Sequence, residues 1–287
     1  MYKIVLKKVL AEGIVLMEVD APRVATSAKP GQFVIVRAHD KGERIPLTIS
    51  DYNGESGVVT IVTQIVGLSS RLICAKEEGD FLTDFVGPLG MASEFVHESS
   101  ESLKNKRFLF LAGGVGAAPV YPQAKYLHQM GAKVDVMMAA RNKAMLILTK
   151  EMEAVCDNLY LATDDGSNGY HGLITGLLKE HLSTGHSYDQ AVAIGPMIMM
   201  KYVALTAKEF DLPLVVSLNT LMVDGTGMCG ACRVSVGGKT MFACVDGPEF
   251  NGYEVDFDEA MRRQGMYREM ELEADHQCKL VSGGSMR

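Results

Sequence analysis

Asp224-Gly-Thr-Gly-Met-Cys229-Gly-Ala-Cys232, followed by Cys244, sets four potential metal-binding side chains at intervals of four, two and eleven residues. The run C-x4-C-x2-C with a distant fourth cysteine is a spacing that holds a 2Fe–2S cluster, and here an aspartate stands first. Gly225, Gly227 and Gly230 let the backbone take positive φ and wrap closely around a compact inorganic core. A loop of this kind carries single electrons. Other chemistry stays open. Three thiolates and a carboxylate also suit tetrahedral zinc, although the second short knuckle of a structural zinc site is missing around Cys244. The cysteines can also be inert core residues, and Asp224 can simply cap a turn.

A second group of residues could bind phosphate. Gly113-Gly114-Val115-Gly116-Ala-Ala118-Pro119 follows the apolar run Phe108-Leu-Phe-Leu111. A strand that ends in glycines and starts a helix points free N–H groups at whatever lies above, and the helix N-terminus favours negative charge. The spacing is not G-x-G-x-x-G, so a tight strand–helix turn explains the glycines equally. Gly195-Pro196-Met197 follows a second predicted strand, and Asp164 and Asp165 follow a third. Those carboxylates suit sugar hydroxyls or an Asx turn. Arg141 ends another strand and could meet a phosphate. Ligands of open α/β sheets sit along that carboxyl edge. Earlier in the chain, Thr63-Gln-Ile65-Val66-Gly67-Leu-Ser69-Ser70 ends a strand in hydroxyls at a helix start, which suits phosphate or an ordinary N-cap. Arg44-Ile-Pro46-Leu47-Thr48-Ile49 carries a proline that frees neighbouring backbone groups for a ligand.

The elements that position these residues change character along the chain. Up to about residue 99, short β-rich runs (2–10, 14–19, 32–38, 58–66) are punctuated by Gly, Pro, Asn and Asp, which predicts a closed antiparallel barrel. One helix is expected inside it, over 69–78. From about 100 to 218, strands at 107–112, 133–140, 159–163 and 191–195 alternate with helices, which predicts a parallel α/β sheet covered on both faces. Residues 219–287 hold the cysteine loop, a charged helical stretch over 256–273 and a low-structure tail from Ser282.

Composition excludes several classes. The 287 residues are 47% hydrophobic with a net charge of −7 and no basic cluster, which argues against a nucleic-acid partner. No apolar run approaches the ~18 residues that span a bilayer, so no membrane is expected. The N-terminus alternates like a strand and lacks a signal peptide. Six cysteines, three of them in the loop, do not make a disulfide framework, and a cytoplasmic setting is expected. His39, His97, His128, His171, His181, His186 and His276 show no metal or nucleophile spacing, so no catalytic triad is expected.

In their order, Arg-Ile-Pro-Leu-Thr-Ile, Val-Gly-Leu-Ser-Ser, Gly-Pro-Leu-Gly, Ala-Gly-Gly-Val-Gly-Ala-Ala-Pro, Thr-Asp-Asp-Gly-Ser and the cysteine loop resemble the ferredoxin–NADP reductase superfamily. The likeness covers almost the whole chain. Within it, the branch of iron–sulfur electron-transfer subunits of dihydroorotate dehydrogenase and of NADH-dependent reduced ferredoxin:NADP oxidoreductase is most similar.

The resemblance implies an antiparallel FAD-binding β-barrel (1–99), a parallel-sheet NAD-binding α/β domain (100–218) and a small 2Fe–2S subdomain with a C-terminal helix and tail (219–287). By it, Arg44, Pro46, Leu47, Thr48, Ile49, Thr63, Ile65, Val66, Gly67, Ser69 and Ser70 would hold FAD. The family motif is one residue shorter between Arg44 and Thr48. Gly113, Gly114, Val115, Gly116, Ala118, Pro119, Arg141, Asp164, Asp165, Gly195, Pro196 and Met197 would hold NAD(H). Asp224, Cys229, Cys232 and Cys244 would hold the cluster. Aspartate in the first place favours the ferredoxin:NADP branch, whose small subunit pairs with a larger iron–sulfur flavoprotein that binds NADP(H) and ferredoxin. The alternatives are the dihydroorotate dehydrogenase subunit and, in another class, a zinc-containing nucleotide sensor.

Overall fold

The computed structural model describes residues 1–282, so the tail predicted beyond Ser282 lies outside the described residues. The first seven strands are β1 (Tyr2–Ala11), β2 (Ile14–Asp20), β3 (Phe33–Arg37), β4 (Ile45–Asn53), β5 (Val58–Gln64), β6 (Phe81–Leu82) and β7 (Asp84–Leu89). They pair in the order β6-β1-β2-β5-β4-β3-β7, all antiparallel. Only Thr83 separates β6 from β7, so the two ends of the sheet are one continuous run, and the sheet closes into a barrel. Ile4, Met17, Val34, Val36, Ile61 and Phe85 fill its interior. The helix Leu68–Cys74 lies against β5 and ends sooner than the expected stretch of 69–78.

The next strands are β8 (Arg107–Gly113), β9 (Lys133–Ala140), β10 (Asn158–Thr163), β11 (Tyr170–His171), β12 (Gln190–Ile194) and β13 (Leu214–Ser217). They form the parallel order β11-β10-β9-β8-β12-β13. β8 is apolar at every central position because both of its faces are covered. Phe108 and Phe110 meet the helix Ala117–Gln129 on one face, while Leu109 and Leu111 meet the helices Ile174–Ser183 and Met197–Lys208 on the other. Chain order reverses between β8 and β12, which makes their carboxyl ends the switch point where α/β sheets take ligands.

The remaining chain forms a hairpin of β14 (Arg233–Val236) and β15 (Lys239–Phe242), then β16 (Glu249–Asn251), which adds antiparallel to β13 at the edge of the α/β sheet. The predicted helical stretch is two helices, Phe257–Gln264 and Arg268–Ser282. The first starts at Asp256, whose side chain accepts from Glu259 N–H, and ends at Gly265. No helix among the described residues is long and apolar enough to cross a membrane.

Candidate redox and nucleotide site

The cysteine loop is built on three left-handed glycines, Gly225, Gly227 and Gly230, with φ of 76°, 83° and 66°. It presents its donors in two pairs. Cys232 and Cys244 are buried with their sulfurs 3.2 Å apart. Asp224 lies beside exposed Cys229, whose N–H donates to its Oδ2 at 3.0 Å, while Thr226 N–H donates to Oδ1 at 3.0 Å. These backbone donors, Thr226 first, hold the Asp224 carboxyl below the usual carboxylate range. Burial, and then the adjacent Cys232 thiol, push the Cys244 thiol up to about 12. A thiol raised in this way ionises readily only when a metal supplies compensating charge.

Among the described residues no three His, Cys, Asp or Glu side chains gather around one point. Two separate pairs of donors fit a two-iron group, in which each iron takes two protein ligands. Val223, Met228 and Val245 form an exposed apolar rim around the loop.

The loop is seated on the barrel. A side chain on Gly225 would meet Leu89 at 2.8 Å and Ile35 at 3.0 Å, on β7 and β3. The neighbour of β3 is β4, where Pro46, Leu47 and Thr48 are half-buried, paired with Ile35, Val34 and Phe33. Ile49 is instead turned into the barrel core. Two polar atoms here are buried without a hydrogen-bond partner, Arg44 Nε just before β4 and Thr63 Oγ1 on adjacent β5. Leaving both unpaired is costly, and a polar ligand over these strands would satisfy them.

At the following turn Ser70 is fully engaged. Its Oγ accepts from Val66 N–H and Gly67 N–H and donates to Gly67 O. The side chains of Ile65 and Val66 lie just beyond β5, Ile65 half-buried and Val66 exposed. Space in front of Gly67 is open.

Ser69 Oγ donates to Glu43 Oε2 at 2.6 Å, a contact not anticipated from sequence even though Glu43 adjoins Arg44. A pyrophosphate binding here would compete with that carboxylate. Glu43→Gln is therefore expected to tighten FAD binding about three- to tenfold, the effect of one surface charge of ~1 kcal/mol. Fluorescence titration of flavin-stripped protein checks it, and unchanged affinity would place the phosphates elsewhere.

The two other glycine turns lie side by side at the switch point. A Cβ on Gly195 would fall 3.0 Å from Gly113 Cα, and one on Gly116 only 2.2 Å from Ile194 O. One on Gly113 would meet Met199 at 2.3 Å. Gly116 and Gly195 thus let backbone pack on backbone, while Gly113 leaves room for the Met199 side chain. Gly114 differs, with φ of 56° and nothing within 4 Å of where a side chain would stand. Val115 is half-buried and Pro196 exposed, whereas Ala118, Pro119 and Met197 are buried in packing. Asp164 and Asp165 are exposed beside Arg141, since Asp164 N–H donates to Ala140 O and Asp165 N–H to Arg141 O. Contacts with Ser167 lower the Asp165 pKa.

β4 also reaches the dinucleotide side. Ser50 Oγ donates to Ala118 O at 3.1 Å in a buried contact, and Lys125 pairs with Asp51 at 2.9 Å. The buried bond contributes about 1 kcal/mol, the half-exposed pair less. One barrel strand is thereby joined to the glycine-turn helix and, through β3, to the cysteine loop.

The comparisons agree with this layout. Residues 219–256 match the iron–sulfur cluster binding domain of dihydroorotate dehydrogenase B, and residues 110–204 match the oxidoreductase NAD-binding domain. The chain is 46% identical over 269 residues to a dihydroorotate dehydrogenase B (NAD(+)) electron transfer subunit homolog of Thermotoga maritima, covering 94% of this chain and 92% of that one. It is 30% identical to the dihydroorotate dehydrogenase B (NAD(+)) electron transfer subunit of Desulforamulus reducens, over 88% of this chain and 96% of the relative. A solved structure of an NADH-dependent reduced ferredoxin-NADP oxidoreductase, studied for flavin-based electron bifurcation, superposes with a TM-score of 0.90. It is 43% identical and covers 98% of both chains.

Proposed function

The chain belongs to the family of dihydroorotate dehydrogenase B-type electron-transfer subunits, and from this we infer that it is the small subunit of an electron-bifurcating ferredoxin:NADP oxidoreductase. It is an oxidoreductase that passes electrons between a 2Fe–2S cluster, FAD and NAD(H). Its partner in this reading is a larger iron–sulfur flavoprotein that binds NADP(H) and ferredoxin, docked over the apolar rim of Val223, Met228 and Val245. The setting is cytoplasmic, in keeping with the free cysteines among the described residues.

The observation that carries the reading is the convergence on β4. The cysteine loop rests on the barrel beside it, and the glycine-turn helix is hydrogen-bonded to it. When bound, the cluster carries one electron at a time and the flavin joins one-electron to two-electron steps. The protein itself positions and insulates. In this reading residues 1–99 seat FAD, with Arg44 and Thr63 supplying polar contacts and Pro46, Leu47 and Thr48 bordering the ring. Residues 100–218 seat the dinucleotide along Gly114, Pro196 and the Asp164–Asp165 turn. Residues 219–287 carry the cluster on Asp224, Cys229, Cys232 and Cys244.

Anaerobic purification with visible spectrum and iron, zinc and FAD counts tests this. Flavin bands with about two irons per chain support it. A colourless protein with about one zinc would leave a nucleotide-binding scaffold. Co-purification with a TIM-barrel flavoprotein would move the chain to the dihydroorotate dehydrogenase side of the family. Asp224→Cys is expected to keep a 2Fe–2S cluster and shift its potential, because thiolate replaces carboxylate on one iron. An unchanged potential and spectrum would reduce Asp224 to a turn residue.

A further inference from the structure

β16 places Glu249 opposite Ser217, at the carboxyl end of β13 and so on the sheet edge that bears both glycine turns. Its Oε1 accepts from Ser93 Oγ at 2.8 Å and from Gln123 Nε2 at 3.0 Å. Ser93 lies on the stretch leaving the barrel, and its own N–H donates to Pro30 O. Gln123 lies on the glycine-turn helix, and Glu249 follows Cys244 in the cluster-bearing segment. Barrel backbone presses on the same group. A Cβ on Gly31 would stand 2.5 Å from Ser93 Oγ and 3.0 Å from Glu249 Oε1. One carboxyl therefore ties three parts of the molecule together.

The carboxyl also has an unfinished partner. Gln123 is fully buried, yet its Oε1 has no hydrogen-bond donor. An ionised Glu249 has no proton to offer it. A protonated Glu249 does: its O–H can donate to Gln123 Oε1 while Gln123 Nε2 keeps donating to Oε1 of Glu249, a two-point acid–amide pair.

Desolvation pushes the Glu249 carboxyl up to about 7, Glu94 raising it and the bonds from Ser93 and Gln123 opposing. A cleft of about 760 Å³ borders Glu249. Around it stand Glu94 beside Ser93, Lys208 and Asp211 from the end of the helix Met197–Lys208, and Asp246, Tyr253 and Glu254 on its own segment. Lys208 is the single cation in that set, so the surroundings favour the neutral acid.

We propose that Glu249 is a proton-exchanging positioning residue, which binds one proton as electrons reach the neighbouring redox groups and thereby draws the barrel, the dinucleotide unit and the cluster unit onto each other. This rests on the electron-transfer reading above. The step balances simply. One solvent proton enters through the cleft and forms one O–H bond on Glu249, no other bond changes, and the electron comes from the protein's own electron-transfer activity.

The test is the pH dependence of the flavin midpoint potential in the purified holoprotein, wild type beside Glu249→Gln and Ser93→Ala. In wild type the potential should fall more steeply with rising pH across neutrality, because reduction is coupled to uptake of this extra proton. The extra slope ends once pH passes the carboxyl's pKa in the reduced protein. Glutamine is neutral throughout and should erase that segment. Ser93→Ala removes a hydrogen bond that favours the carboxylate and should move the segment to higher pH. If Glu249→Gln does not fold, the redox-difference infrared spectrum of wild type decides, since a protonated-carboxyl band must grow on reduction. Equal slopes in all three proteins, or a difference spectrum lacking that band, overturn the proposal. A preparation without flavin and cluster would overturn the electron-transfer reading itself.

Discussion

Cys244→Ser is expected to empty the loop of iron while leaving the flavin and its reduction by NADH in place. Cys232 and Cys244 are both almost completely buried and their sulfurs lie 3.2 Å apart, so in the proposed reading the two would hold one iron together. A serine hydroxyl is a hard ligand that stays protonated at neutral pH, where iron–sulfur chemistry selects soft thiolate. Mutating the outer partners of metal ligands typically costs ~10–100-fold in affinity, and removing a ligand outright should exceed that. Serine is close to cysteine in size, so the buried site should not collapse. The barrel core, built from other residues, is untouched. Iron analysis and flavin absorbance on the same anaerobic sample separate the two effects. A full iron content in the variant would remove Cys244 from the ligand set. Electron exchange with the partner should vanish with the iron, whereas NADH-to-flavin transfer should persist, because the glycine-turn helix reaches β4 without passing through the cysteine loop.

Much of this layout could be read from sequence where a physical pattern repeats over enough residues. β9 occupies Lys133–Ala140 as predicted, and β8 follows its unbroken apolar run, because burial on both faces demands apolar residues at every position. Short elements carry no such pattern. β6, β11 and β16 have two or three residues each, and β16 is specified by its partner β13 rather than by its own composition. The charged stretch after Asp256 reads as continuous because its polar residues tolerate helix throughout, yet Gly265 ends the first helix.

The contacts that tie the sites together were beyond reach for a different reason. Glu249 meets Ser93 and Gln123 across 156 and 126 positions, and an Asp-Gly-Pro-Glu sequence reads locally as a solvated turn. Ser69 and Glu43 meet across 26 residues through strand pairing that no local motif encodes. The glycine turns were found by pattern, but pattern could not say why each glycine is there. Spacing alone cannot distinguish a glycine that makes room for a ligand from one that makes room for a neighbouring strand.

Substitution at two of those glycines separates the two reasons. Gly116→Ala is expected to destabilise the protein by about 3 kcal/mol or more, the upper range for overpacking. The backbone at Gly116 is ordinary right-handed helix, φ −60° and ψ −13°, so no conformational penalty confuses the result. The added methyl would lie 2.2 Å from Ile194 O and 2.8 Å from Ile194 C. That obstacle is backbone in β12, which is hydrogen-bonded to β8 on one side and β13 on the other and cannot yield as a side chain would. Gly114→Ala is the counterpart. Its methyl meets nothing within 4 Å, and the left-handed φ of 56° limits the cost to roughly 1–2 kcal/mol. If the dinucleotide crosses this turn, however, that methyl stands in its path, and NADH affinity should fall at least about tenfold, since a displaced phosphate loses a charge-assisted hydrogen bond of ~1.5–3 kcal/mol. Thermal unfolding and NADH titration of both variants measure the two effects separately. Stability should fail mainly at Gly116 and binding at Gly114. Unimpaired binding in Gly114→Ala would mean that the dinucleotide takes another route over the sheet edge, with all the glycines of this turn kept for packing and backbone shape.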